Sequence, residues 1–205
     1  MLSYYLVMRT LILQLVGTTP IILHQISRHQ LREQIASRGG ASVPLEDEAL
    51  EVMSKDSDGN PAVPVSWLWD ALRAGCSRIT VEQKQISFFR FQSVIRLPEG
   101  LIPLKDTDCR NPVWKVYSSI QHAAPGSKRS IAVVAPMFKD WMLTVQVSVI
   151  GELFPGNELL SEVVLEKIFT ESGKVGIGLF HPPKKQFGQF QAENISTALS
   201  KVGQS

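Results

Sequence analysis

The chain has 205 residues, 44% of them apolar and 20% charged, and carries a formal net charge of +2. That composition excludes a disordered chain and is enough for one domain with a real core. The small charge surplus excludes a uniformly basic nucleic-acid binder, so an anionic partner would have to be met by local patches.

Such patches exist. Glu46, Asp47, Glu48, Glu51, Asp56 and Asp58 face only Lys55 in one acidic stretch, while Arg28–Arg38 and Lys174–Lys185 are basic. If the acidic stretch is a solvated loop, the remaining surface is more positive than the total. Cys76 and Cys109 have no neighbouring metal-ligand partners and read as free thiols of a reducing, cytoplasmic compartment, with a single disulfide between them as the alternative.

In chain order, the apolar opening MLSYYLVMRTLILQLVG has its first basic residue, Arg9, after the apolar run and no clear cleavage site, so it reads as a buried first strand rather than a signal peptide. Residues 10–16 are the β-rich centre of that strand, and Gly17 ends it. TTPIILHQ follows as a second extended piece. Residues 26–38 have helical spacing at Ile26, Leu31 and Ile35. SRGGASVPLEDE reads as loop and KDSDGNPAVP as a turn cluster.

VPVSWLWDALRAG is a short helix with Ser66 placed to cap its start and Gly75 placed to end it. RITVEQKQISFFRFQSVIRL has β character, with Phe89 and Phe91 alternating. Residues 98–113 are broken by prolines, VWKVYSSI is a strand, and QHAAPGSKRS is an exposed turn. In WMLTVQVSVI, Leu143, Val145, Val147 and Val149 fall on one face of a strand. Residues 158–172 have helical spacing and Gly173 is placed to stop that helix. GKVGIGLFHPPKKQFGQF leads into the last strand, FGQFQAE. Strands separated by helices around an antiparallel core predict an α+β fold with an RRM-like or ferredoxin-like sheet.

The chemistry in these segments is mostly negative. Gly176 and Gly178 form a GxG, but after a helix and before a strand, which is the wrong context for a dinucleotide fingerprint, and no Walker A pattern occurs. His24, His29, His122 and His181 are scattered, no GxSxG is present, and neither cysteine has the context of a nucleophile. No enzyme signature, metal site or cofactor motif stands out. The glycine stretch fits two readings. One is a helix stop with a bent connection. The other is a nucleic-acid loop in which glycines let backbone approach phosphate, Lys174, Lys184 and Lys185 supply charge, and Phe180, His181 and Phe187 stack on bases.

GNPAVPVSWLWDALRAG resembles the segment of RAMP-superfamily proteins, the RNA-binding proteins of CRISPR systems, in which a polar turn and a proline precede a small helix ending in Leu-Arg. Leu72 and Arg73 match that pair. Gly173, Gly176, Gly178 and Gly188 match the glycines of the family's C-terminal loop, and the first strand with TTPIILHQ is similar to its opening strand and the following turn. The resemblance touches about a third of the chain, and the family's usual GSSLKG is replaced by PVSWLWDA.

The resemblance implies a single RRM-like domain over 1–205, with helices on one face and a thumb-like lobe inserted at approximately 26–60 or 104–130. It implies a backbone subunit that coats guide RNA without catalysis. The implied partners are guide RNA and a complementary target strand, copies of the chain and other effector subunits, with no membrane. Lys174, Gly176, Gly178, Lys184, Lys185, Arg28, Arg32, Lys128 and Arg129 are the expected RNA contacts. In the early loop where some relatives carry a cleaving acid, only Glu33 is present. Two other readings stand beside this one: a precursor-RNA endonuclease of the same superfamily using His24 or His29, and a structural or viral assembly protein without nucleic acid.

Overall fold

The computed structural model describes residues 7–24, 44–81, 84–122, 130–150, 162–178 and 187–201. The chain opens with β1 (Val7–Gly17), β2 (Ile21–Ile22), α1 (Leu45–Val52), β3 (Ala62–Pro64) and α2 (Val65–Cys76). β4 (Thr80–Val81), β5 (Lys84–Gln85), α3 (Phe88–Val94), β6 (Ile95–Arg96) and β7 (Leu101–Lys105) follow. The second half holds β8 (Trp114–His122), β9 (Ser130–Phe138), β10 (Met142–Ile150), α4 (Glu162–Val175) and β11 (Phe190–Lys201).

The main sheet is antiparallel, in the order β11-β1-β10-β7-β3, with β6 also on β10. Its centre follows from period-two patterning. Leu11, Leu13 and Leu15 of β1 and Leu143, Val145, Val147 and Val149 of β10 are all buried on one face, each worth about 2 kcal/mol on removal from water. Helix α2 lies in the chain between β1 and β6, and α4 between β10 and β11. Both pack on that buried face through Leu68, Leu72, Leu165, Ile168 and Phe169. The result is an α+β fold of ferredoxin-like order: last strand, first strand, third, second.

A smaller sheet, β2-β9-β8, stands beside this core. Ile22, Val52 and Ala135 form its own apolar cluster, with Tyr117, Met137 and Phe187 against it, so α1 packs on the β8–β9 hairpin. Two turns join the same region. Asp56 Oδ1 accepts the amides of Asp58 and Asn60 at 3.0 and 2.9 Å. Asp106 Oδ1 accepts those of Asp108 and Arg110 at 3.0 and 2.7 Å. The positive-φ position of this repeated turn is Gly59 (φ +81°) in one copy and Cys109 (φ +63°) in the other. Asn111 Nδ2 donates to Asn60 Oδ1 at 3.0 Å and holds the two together. Among the described residues no helix is long and apolar enough to cross a membrane.

Several expected boundaries move. Leu45–Val52 is a helix, not a loop, with Glu46, Asp47 and Glu48 in its first turn, where acids suit the helix dipole, and Ala49 and Val52 buried. Residues 88–94 are helical because Phe88 and Phe91, three apart, point inward. The period-two reading of Phe89 and Phe91 fails, since Phe89 is 81% exposed and Phe91 is buried. Ser66 lies inside the first turn of α2 and Pro64 takes the capping position.

Gly75 and Gly173 do not end their helices either. A Cβ on Gly75 would lie 2.2 Å from Ser172 Oγ, and one on Gly173 would lie 2.0 Å from the Phe190 carbonyl. They are packing glycines where α2 meets α4 and where α4 meets β11. The α4 stop is Gly176, at φ +82°, whose amide donates to the Ser172 carbonyl at 2.9 Å. The helix expected at 26–38 lies outside the described residues.

Candidate nucleic-acid interface

The base of the glycine-rich segment is held from several sides. After Gly176, the Ile177 amide donates to the Gly188 carbonyl at 2.9 Å, and the Gly188 amide donates to Pro20 at 2.7 Å. The Gln189 amide donates to Thr19 Oγ1 at 2.9 Å, and Thr18 donates its amide to the Gln189 carbonyl at 2.8 Å. Gln189 Nε2 reaches back to the Lys174 carbonyl at 2.9 Å. The turn after β1 is therefore stitched to Gly188 and Gln189 at the exit of the segment, and Ile177 at its entry is bonded to Gly188.

Trp141 anchors the other side of that turn. Its indole is fully buried, Nε1 donates to the Thr19 carbonyl at 2.7 Å, and its ring meets Phe190 edge-on at 6.5 Å. Gly17 has no side chain because a Cβ there would sit 2.2 Å from the indole nitrogen. Phe187 meets Tyr117 of β8 edge-on at 5.5 Å, which ties the segment to the smaller sheet.

Of the expected contact residues, Lys174, Gly176 and Gly178 are described. Lys174 is exposed and paired with Glu171, three residues earlier on α4. It lines an open groove of about 490 Å³ with Thr18, Thr170, Gln189, Gln191 and Glu193. Gly176 and Gly178 face protein backbone: a Cβ would approach the Phe187 carbonyl at 2.8 Å and the Ile22 carbonyl at 3.0 Å respectively. Their positive φ values and tight contacts shape the base of the segment. Lys184, Lys185, Arg28, Arg32, Lys128 and Arg129 lie outside the described residues, as do Phe180, His181, His29 and Glu33. In the sequence, Lys184 and Lys185 fall between Gly178 and Phe187, and Lys128 and Arg129 fall between His122 and Ser130, which pair across β8 and β9.

The free face of the main sheet carries Thr10, Ile12 and Gln14 of β1 beside Ser148, Gln146 and Thr144 of β10. None of the described side chains of these two strands on that face is aromatic or charged, so it offers no stacking platform of the RRM kind. His24 is 9% exposed, two residues after β2. Burial pushes the Cys76 thiol up to about 12. Among the described residues no group of three or more His, Cys, Asp or Glu is placed to hold a metal ion.

Sequence reasoning passed over one exposed cluster, because it assigned those residues to a strand. The Arg73 guanidinium of α2 lies over the Phe88 ring at 4.9 Å, and Phe89 and Arg90 of α3 and Arg96 just after it are exposed. The signal was present as FFRF flanked by two further arginines, and a helical period would have placed it outward.

The fold and this site define an α+β protein with a ferredoxin-like sheet, in which Gly188 and Gln189 are anchored to the turn after β1. No family model and no curated protein matches the chain. Among solved structures, it is similar to a chain of the cryo-EM structure of the Type III-B Cmr-beta bound to cognate target RNA, with a TM-score of 0.50 at 11% identity. The match covers 96% of this chain and 61% of that one, so the chain spans about three-fifths of its neighbour's length. At this identity the likeness is one of fold.

Proposed function

We propose that this chain is a non-catalytic RNA-binding subunit of a CRISPR-type ribonucleoprotein, holding guide RNA by its sugar–phosphate backbone. The observation that carries the reading is the anchored glycine segment: Gly188 and Gln189 bond the turn after β1, Ile177 bonds Gly188, and the sequence between Ile177 and Gly188 carries Lys184 and Lys185. A rigid base with cations between is suited to hold phosphates at low ordering cost. The likeness in fold to a chain of an RNA-bound Cmr-beta assembly supports the same reading.

In this reading Lys174, Lys184 and Lys185 contact phosphates from one side, and Arg28 and Arg32 from the segment after β2. The thumb-like lobe is the paired β8 and β9 with α1 on its flank, and Lys128 and Arg129, which lie between these strands in sequence, are its phosphate contacts. Both candidate insertions, 26–60 and 104–130, contribute described residues to that lobe, since α1 packs on the β8–β9 sheet and Asn60 bonds Asn111. Gly176 and Gly178 act by shaping the loop. His24 is buried, which weighs against it as the base of the alternative cleavage reading, and His29 lies outside the described residues.

Purification tests the reading. A 260/280 absorbance ratio well above that of protein alone, with a discrete RNA recovered after phenol extraction, is the expected result. Protein that elutes free of nucleic acid and ignores added RNA at low salt would favour an assembly protein instead.

A further inference from the structure

The outer side of α3 carries the one exposed aromatic side chain among the residues whose burial is described. Phe89 is 81% exposed, while its neighbours Phe88 and Phe91 turn inward against Trp69 at ring distances of 6.1 and 6.5 Å. The helix is therefore fixed by its inner aromatics, and Phe89 is held out on a firm support. Three exposed arginines lie on α3, directly after it, or on α2 where α2 packs against it. Arg73 lies over Phe88 at 4.9 Å, Arg90 is exposed, and Arg96 turns Nη1 onto the carbonyls of Gln92, Ser93 and Ile95 at 3.2, 3.4 and 3.0 Å. None of the three makes an ion pair with a described carboxylate. Arg73 and Arg90 therefore carry charge that no described carboxylate offsets, on the element that holds Phe89 out or on the helix beneath it.

We infer that Phe89, with Arg73, Arg90 and Arg96, forms a second contact for single-stranded nucleic acid, in which Phe89 stacks on one base and the arginines meet the adjoining phosphates. This rests on the RNA-binding reading and adds a site to it. An aromatic face takes any base, and guanidinium groups bond phosphate oxygens in pairs. Charge complementarity selects an anionic occupant. The apolar content selects a nucleobase over a protein, because a stable protein interface needs about 800 Å² a side with an apolar centre, whereas one ring supplies about 200 Å². The other outward positions of α3, Gln92 and Ser93, are polar and exposed.

The position separates this contact from the glycine segment. β6, directly after α3, pairs with Ser148 and Val149 of β10, while the glycine segment meets the Gly17 end of β1, which pairs beyond Met142. Six residues of strand place the two about 20 Å apart along the sheet. A single strand held at both would lie along the protein rather than touch it at one point.

The test is a fluorescence-anisotropy titration of the nuclease-treated full chain with a labelled oligouridine, repeated with an abasic oligomer of equal length. Phe89→Ala should weaken oligouridine binding about 10-fold and leave abasic binding unchanged, Phe89→Trp should restore it, and Arg90→Glu should weaken both and lower the salt slope by about one. Phe89 is exposed, so the variants should keep the wild-type melting temperature. If wild type binds and both Phe89→Ala and Arg90→Glu stay within about twofold of it, this inference is wrong and the wider reading stands. If wild type fails to bind, both fall. If the variants change only self-association, the patch docks protein and the inference is overturned.

Discussion

The Gly188 amide donates to the Pro20 carbonyl at 2.7 Å, joining the exit of the glycine-rich segment to the turn that follows the first strand. Gly188 sits at φ +69°, and a Cβ there would come within 1.7 Å of the Ile177 carbonyl. Gly188→Ala should therefore cost about 3 kcal/mol, from backbone strain and from forced separation of the two segments. Gly59, at φ +81° with nothing near its Cβ position, is the control, and Gly59→Ala should cost about 1 kcal/mol. Urea unfolding of the two variants checks the difference. Equal losses would mean that the contacts of Gly188 contribute nothing beyond its φ.

Gly75 lets α2 and α4 touch. Gly75→Ala should lose about 2 kcal/mol, because the added methyl meets Ser172 Oγ at 2.2 Å and the Ile168 carbonyl at 2.8 Å, and the backbone atom cannot turn aside. If Gly75 merely ended its helix, the same change would be mild. Thermal melts distinguish the two.

That glycine also shows what the sequence could and could not say. Leu11, Leu13 and Leu15, or Leu143 to Val149, declare a strand by their own spacing, so the central pair of strands was legible. A glycine near a helix end looks the same whether it turns the chain or admits a neighbour, and the neighbour lies far away in sequence: Ser172 for Gly75, Phe190 for Gly173. Phe89 and Phe91 failed similarly, since short segments fit both periods and only Trp69 on another helix decides between them. The anchoring of the glycine segment by Thr19 and Pro20 rests on long-range backbone bonds that no local pattern announces.

The two cysteines should differ sharply in reactivity. Cys109 is exposed, while Cys76 is fully buried with its thiol pushed up to about 12. Dithionitrobenzoate at mildly alkaline pH should release one equivalent quickly and the second only on adding denaturant. Two equally fast thiols would contradict the packing of Cys76 in the α2 core.

Cys109 occupies the positive-φ position that glycine takes in the matching turn at Gly59. Cys109→Gly should raise stability by about 1 kcal/mol, as relief of the left-handed strain outweighs the added chain entropy, and Cys109→Val should lower it. Both are read from denaturation midpoints. A destabilised Cys109→Gly would mean that the exposed side chain contributes more than its backbone strain costs.

The most direct test of RNA binding at the glycine segment is a low-salt RNA titration of nuclease-treated wild type against the Lys184→Glu, Lys185→Glu double variant. The account predicts salt-dependent binding with little sequence preference, reduced about 10-fold or more by the double change, with a shallower salt slope. Wild-type binding that the double variant matches in affinity and salt slope would contradict it.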